Sequence, residues 1–267
     1  MRSLAQLMDL SGRKALVTGG AGHIGLAASE GLVEMGASVG VLDFDARACS
    51  ERVDALSRIK SGCAVSVPCD LADEKETRVA VRRSIDLLGG LDIIVHSAAY
   101  VASTRLPGWA VPFDRQTVAS WDAALRVNMT AAFVMVQEAR EALAESTHGS
   151  VIMISSIYGL CGPDMRLYEA TDMANPVAYG VSKGGLLQLT RYLSTMLAPR
   201  VRVNAISPGG VWRSQPEVFR ERYVARTPLG RMATEEDVKG AVVYLASDLS
   251  AYVTGHNLVV DGGWTAW

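Results

Sequence analysis

Apolar residues along the chain keep two rhythms. Short, β-branched runs occupy Ala15–Thr18, Ser38–Leu42, Ala64–Pro68, Ile93–His96, Val151–Ile154, Val201–Ile206 and Leu258–Val260, each with the length and makeup of a strand. Between them lie longer stretches whose apolar positions return every three or four residues: Leu26–Met35, Asp73–Leu88, Asn128–Ala144, Tyr179–Leu197 and Glu235–Ala246. In Asp73–Leu88, for instance, Val79, Val81, Ile85, Leu87 and Leu88 stand among charges, as in a helix with one wet face. Strand and helix alternating this often predict a doubly wound, mostly parallel, seven-stranded α/β sheet with crossover helices on both faces. The run "DIIVHSA" is apolar almost throughout, as a strand covered on both sides must be.

Two stretches interrupt the alternation. Tyr100–Thr117 carries Pro107, Gly108 and Pro112, and Gly159–Pro176 carries Pro163, Pro176 and several charges. Both follow strands, and in open α/β sheets ligands bind outside the carboxyl ends of strands. Long loops there are more often functional than idle. No Ser/Pro-rich linker or repeat divides the chain, so residues 1–267 read as one domain.

Composition narrows the partners. Of 267 residues, 49% are hydrophobic and 20% charged, with a net charge of −2, an ordinary globular balance. Nothing electrostatic calls for nucleic acid or an anionic membrane. No apolar run reaches the roughly 18 residues of a membrane span. The opening "MRSLAQLMDLSGRK" has no long apolar segment, so no secretory leader is expected. Cys49, Cys63, Cys69 and Cys161 form no CxxC pair and read as reduced thiols of a cytoplasmic protein. His23, His96, His148 and His256 lack metal-ligand spacing, so no metal is expected.

"TGGAGHIG", Thr18 to Gly25, joins the first strand to the first helix. A helix N-terminus offers free N–H groups and partial positive charge, and a pyrophosphate reaches them only where side chains are absent. Gly19, Gly20, Gly22 and Gly25 meet that need, although His23 stands where such loops often have glycine. Asp43 ends the second strand 18 residues past Gly25, the context that gives a glycine-rich loop its meaning as a dinucleotide site. Its carboxylate can accept from both adenosine ribose hydroxyls and would repel a 2′-phosphate. Phe44, not arginine, follows it. The expected cofactor is therefore NAD, with NADP second. Asp70 in "VPCDLAD", with Leu71 beside it, reads either as an adenine contact or as a helix N-cap.

"YGVSK" opens the long helix at Tyr179 and Lys183. Residues four apart share a helix face. A phenol with an ordinary pKa near 10 is a poor base at neutrality unless something stabilises the phenolate, and an ammonium one turn away does so. The pair can then move a proton on or off an alcohol oxygen. Ser155-Ser156 close the fifth strand, where a hydroxyl can donate to the reacting oxygen. Asn128 in "RVNMTAAF" opens an apolar helix, and a water chain to Lys183 would give its amide a partner. Pro208-Gly209 end the sixth strand in a turn able to wall off a nicotinamide.

These motifs resemble those of the short-chain dehydrogenase/reductase family, in its compact branch, over about residues 10–263. The resemblance implies a single-domain Rossmann fold that moves hydride between nicotinamide and a CH–OH carbon. The glycine loop maps onto Thr18, Gly19, His23, Ile24 and Gly25, with Gly22 in the related GxxGxxG spacing. The ribose acid maps onto Asp43, the adenine contact onto Asp70-Leu71, and the strand-four motif onto Ser97-Ala98-Ala99. The catalytic set maps onto Asn128, Ser156, Tyr179 and Lys183, and the nicotinamide turn onto Pro208-Gly209, with the Val211 backbone meeting the carboxamide. The resemblance also implies a homo-oligomer, a tetramer or dimer built on the two long helices and the last strand.

Several positions depart from the family pattern. His23 replaces a loop glycine, Ser97 an asparagine and Ala99 a glycine; Arg213 and Ser214 stand where a threonine often follows the turn. Ser156 and Tyr179 lie 23 residues apart, against roughly a dozen usually. The excess is a substrate-loop insertion near 159–176, facing a lid near 211–232. Its Asp164, Arg166, Tyr168, Glu169 and Asp172 suit hydroxyls or phosphate better than an acyl chain. With Trp212 and Arg213 nearby, they point to a sugar- or polyol-like alcohol. The segments "SSIYG" and "VDGGWTAW" resemble members linked to bacterial surface-sugar modification. Other readings are a 3-oxoacyl thioester reductase, a non-catalytic dinucleotide binder, and a sugar-nucleotide epimerase lacking the usual second domain. Tyr158 and Tyr168 are rival catalytic tyrosines, but neither has a lysine four residues on.

Overall fold

The computed structural model describes residues 1–101 and 103–267. One sheet of seven strands organises the chain: β1 (Lys14–Thr18), β2 (Ser38–Asp43), β3 (Ala64–Pro68), β4 (Ile93–His96), β5 (Gly149–Ile154), β6 (Val201–Pro208) and β7 (Asn257–Val260). Their order is β3-β2-β1-β4-β5-β6-β7 and every pairing is parallel. All seven predicted strands are present, within three residues at their ends. The helices are α1 (Leu4–Met8), α2 (His23–Glu34), α3 (Ala46–Ile59), α4 (Glu74–Leu88), α5 (Val118–Leu125), α6 (Ala131–Glu145), α7 (Val177–Leu197), α8 (Glu217–Ala225) and α9 (Glu236–Ala246).

Alternate strand residues feed opposite faces, as the two-residue strand period requires. Leu16 joins the core under α4, α6 and α7, whereas Ala15 and Val17 join the core under α2, α3 and α9. The chain order reverses between β1, which leads out to β2 and β3, and β4, which leads to β5. In a doubly wound sheet the ligand crevice opens at that switch.

Four helices escape the periodicity reading: α1, α3, α5 and α8. α3 buries only Cys49 and Leu56, and its apolar residues, though they share a face, are few among charges; α8 buries only Phe219 and Tyr223, too few to mark a face. A further difference concerns Asn128, read as opening a helix. The helix begins ten residues earlier, at Val118, and Asn128 sits inside a π-turn, Arg126–Thr130, that joins α5 to α6. Such a turn adds one residue and often marks a functional position.

Candidate active site

The phosphate loop is built by exclusion. A Cβ on Gly25 would lie 2.1 Å from the Gly19 carbonyl oxygen, and one on Gly19, whose φ is +62°, would lie 2.9 Å from Ala98 Cα. Only glycine fits at either place. Gly22 caps α2, and the amides of His23, Ile24 and Gly25 form its first turn, where an α-helix leaves N–H groups without intrahelical partners. The His23 side chain does not plug the loop. It is 67% exposed and turns to Glu235, with Nδ1 3.5 Å from the carboxylate. The His23 side chain therefore does not stand in the way, and the glycine loop fits a pyrophosphate.

Asp43 sits at the end of β2 beside this loop. Its carboxylate accepts from the Phe44 N–H at 2.9 Å and the Ala21 N–H at 3.3 Å. Burial raises its pKa despite these bonds. Thr18 Oγ1 accepts from the amides of Ser97 and Ala98, 3.2 Å each, so the end of β4 is laced to the loop in spite of the Ser97 and Ala99 departures. Asp70 accepts from the Ala72 N–H at 2.9 Å in a local turn, while Asp73 caps α4. Asp70 is thus not the helix N-cap, and its exposed carboxylate stands beside buried Leu71. Across the crevice, Gly209 N–H donates to the Val260 carbonyl at 2.9 Å, which extends the β6–β7 pairing past Pro208. Val211 bridges Ala233, and its carbonyl accepts from Gln215. Its N–H has no partner among the described residues.

The catalytic candidates converge where β5 meets α7. Ser156 follows the end of β5, and its hydroxyl accepts from the Tyr158 N–H at 3.1 Å. Tyr179 lies in the first turn of α7, part of its surface open, its hydroxyl end enclosed. Burial raises the Tyr179 pKa; the nearby Ser156 hydroxyl and the Arg213 charge pull it down, and Tyr168 pushes it up. Lys183, one turn on, is 2% exposed. Its Nζ donates to the Ile154 carbonyl at 2.7 Å and lies 5.7 Å from the Tyr179 ring centre. Desolvation of the ammonium lowers the Lys183 pKa to about 7. The rival tyrosines bond to each other instead, Tyr158 to Tyr168 at 2.8 Å.

Asn128 is brought to this end of the sheet, but its amide awaits no water. Its Oδ1 accepts from the Tyr100 N–H at 2.7 Å, and its Nδ2 donates to Ser182 at 3.0 Å. The expected water chain from this side chain to Lys183 gives way to those direct partners, and a relay through Asn128 would rest on its backbone carbonyl. That carbonyl faces His96 Nε2 at 3.1 Å. His96 was not singled out in the sequence; the available signal was a polar ring closing an otherwise apolar strand.

The insertion's charges also differ from expectation. Asp164 pairs with Arg166, at 2.8 Å, and with Arg226. Arg222 donates to the carbonyls of Arg166 and Glu169. These bonds staple the insertion to α8, over an apolar cluster of Ile157, Leu167, Phe219, Tyr223, Met232 and Trp264. Asp164 and Arg166 therefore brace the loop instead of leaning over a substrate.

A family model described as enoyl-(acyl carrier protein) reductase matches residues 19–265. The chain is 31% identical over 264 residues to a 3-oxoacyl-[acyl-carrier-protein] reductase of Aquifex aeolicus, covering 96% of this chain and 98% of that one. It is also 31% identical over 266 residues to an L-rhamnose 1-dehydrogenase (NAD(P)(+)) of a Sphingomonas species, covering 95% and 96%. The crystal structure of an NADPH-dependent 3-quinuclidinone reductase from Rhodotorula rubra superposes with a TM-score of 0.87 at 26% identity, covering 100% of this chain and 96% of that one. No described helix is long and apolar enough to cross a membrane. Matched over nearly its whole length by enzymes of this kind, and folded as they are, the chain belongs to the short-chain dehydrogenase/reductase family, whose members are NAD(P)-dependent oxidoreductases of alcohols and ketones.

Proposed function

We propose that the protein interconverts a secondary alcohol and a ketone with NAD, on a sugar- or polyol-like substrate. The observation that carries this reading is the buried Lys183 ammonium one turn from Tyr179 and 5.7 Å from its ring, with the Ser156 hydroxyl near the same phenol. Tyr179 takes the proton of the alcohol oxygen, or returns it to the ketone. Ser156 donates to that oxygen, and Lys183 supplies positive charge one turn from the phenol. Asn128 anchors the relay end through its backbone. When bound, the nicotinamide would supply the hydride acceptor for alcohol oxidation, or the hydride donor for ketone reduction.

Gly19, Gly22, His23, Ile24 and Gly25 would hold the pyrophosphate through backbone amides, and Ser97 and Ala98 would back them. Asp43 would take the ribose hydroxyls, Asp70 and Leu71 the adenine edge. Pro208, Gly209 and the free Val211 N–H would meet the nicotinamide. Residues 1–267 act as one unit, with the insertion near 159–176 and the lid near 211–232 closing over substrate. Exposed Phe133 on α6 and Val181, Tyr192 and Met196 on α7 support a homo-oligomer, which light scattering would size.

The second reading is 3-oxoacyl thioester reduction, favoured by the apolar residues Leu160, Met165 and Met173 that line the insertion's cavity. Following NADH absorbance across sugars, polyols and oxoacyl thioesters separates the two. Tyr179→Phe should lower turnover on the true substrate about 10²–10⁴-fold. Near wild-type turnover would remove Tyr179 from the proton transfer, and binding of neither NAD nor NADP would refute the cofactor assignment.

A further inference from the structure

The insertion, the loop at Val111–Gln116 and the first turn of α7 line an open cavity of about 1110 Å³. It adjoins the catalytic candidates: Tyr158 and Gly159 follow Ser156, Gly180 and Val181 follow Tyr179, and all four line it. Three of its polar side chains form one cluster. The Tyr158 and Tyr168 hydroxyls lie 2.8 Å apart, and Asn175 Nδ2 donates to the Tyr168 oxygen at 3.1 Å.

Counting protons shows what the cluster leaves over. Two phenols bring two O–H groups, and their mutual bond uses one. Among the described residues, the second O–H, one Asn175 N–H and the Asn175 carbonyl find no partner. Burial holds both phenols above their ordinary pKa, so all three groups are uncharged. They match a substrate hydroxyl, which both donates and accepts.

The charges around the cavity run one way. Its described lining holds no lysine, arginine or histidine, and its ionised side chains are Glu169 and Asp172, both exposed. Of the cations on the flanking segments, Arg166 and Arg226 pair with Asp164, Arg222 with backbone carbonyls and Arg213 with Glu235, while exposed Arg115 stands in the 111–116 loop but does not line the cavity. A carboxylate or phosphate entering here can accept from the cluster's two donors but meets like charge and no lining cation, which disfavours it against an uncharged competitor.

We infer that this cavity binds the part of the substrate beyond the reacting carbon, selects uncharged hydroxylated groups over carboxylated or phosphorylated ones, and uses Tyr168 and Asn175 as specificity-determining residues. The inference rests on the proposed alcohol–ketone chemistry at Tyr179 and Ser156.

The test is steady-state kinetics of the full chain with NAD, on sugars and polyols paired with the aldonic acids and sugar phosphates of the same skeletons. A 3-oxoacyl thioester with NADH is run in reverse. Uncharged members should exceed their charged partners in kcat/KM by about tenfold or more. Tyr168→Phe and Asn175→Ala should each raise KM about tenfold with kcat changed less than about threefold, since each removes one uniform contact. Glu169→Gln with Asp172→Asn should raise kcat/KM for the anionic members about fivefold at low ionic strength, a gain that salt erases. Preference for charged members or for the thioester, or a KM indifferent to both cluster variants, would overturn the inference and leave the hydride-transfer reading standing. Absence of turnover on every member would overturn both.

Discussion

Lys183 gives its buried ammonium to the Ile154 carbonyl, 2.7 Å away, and holds it 5.7 Å from the Tyr179 ring. No carboxylate among the described residues compensates it, and desolvation lowers its pKa to about 7 from an ordinary 10.5. The protein alone is therefore strained by the charge that its proposed chemistry needs. Such strain is common at functional sites, where stability is given up for reactivity.

Linkage fixes the sign of its effect on stability. A lysine whose folded pKa is depressed stabilises least below pH 7, where both states hold the proton. The penalty fades as pH rises from about 7 toward 10.5. Lys183→Met should therefore abolish turnover yet melt higher than wild type at pH 7. Its advantage should shrink by about 3 kcal/mol between pH 7 and pH 10. Paired denaturant melts measure this difference directly. A constant offset across that range would mean that Lys183 is not charged against its surroundings.

Cofactor choice turns on Asp43. Its carboxylate, half-buried and raised in pKa by burial, stands where a 2′-phosphate would add like charge. Asp43→Ser keeps a hydroxyl for the ribose and removes the repulsion. The ratio of kcat/KM for NAD to that for NADP should fall about 30-fold or more, corresponding to about 2 kcal/mol of lost discrimination. Unchanged selectivity would place the choice elsewhere in the crevice.

Two glycines should respond in opposite directions. Gly25→Ala drives a methyl into the Gly19 carbonyl, 2.1 Å away, and neither backbone segment can yield without opening the loop. The variant should lose about 1–3 kcal/mol of stability and its NAD affinity. Gly240 lies in the interior of α9 with nothing within 4 Å of a built Cβ. Gly240→Ala should gain about 0.5–1 kcal/mol and leave NAD affinity unchanged. Thermal melts with and without NAD separate the two effects.

Strand positions and the glycine–tyrosine–lysine frame were legible because each rests on a local rule: a two-residue period, an absent side chain, or four residues per turn. What stayed hidden depended on pairings far apart in the chain. Asp164 read as a charge over substrate because Arg226, 62 residues on, cannot be paired with it by pattern. Asn128 read as an unpartnered amide because the Tyr100 backbone and Ser182 meet it only in the folded state. Helix α3 was missed for a different reason: its apolar residues share one face, but they are few and stand among many charges, so the segment reads as polar overall.

The same long-range logic makes His96 the most informative position outside the catalytic set. It is fully buried, with Nε2 3.1 Å from the Asn128 carbonyl and Nδ1 3.0 Å from Thr18 Oγ1. A carbonyl only accepts, so Nε2 carries the proton. Thr18 Oγ1 already accepts from two amides, so its own hydrogen goes to Nδ1. The neutral ring thus has one tautomer, and it ties the phosphate loop's strand to the π-turn that holds Asn128. A second proton would face a hydroxyl that already accepts twice. Burial, with the Lys183 charge adding to it, lowers the pKa to about 4 from 6.5. By linkage, the stability that His96 contributes is complete above about pH 6.5 and is lost as pH falls toward 4. His96→Leu orphans the Asn128 carbonyl and should cost about 1–3 kcal/mol at pH 7. Wild type should then lose about 3 kcal/mol relative to the variant by pH 4, so the gap closes or reverses. Nitrogen chemical shifts of the ring test the tautomer itself. A gap that stays level between pH 7 and pH 4, or a proton found on Nδ1, would break the link between His96 and the Asn128 carbonyl.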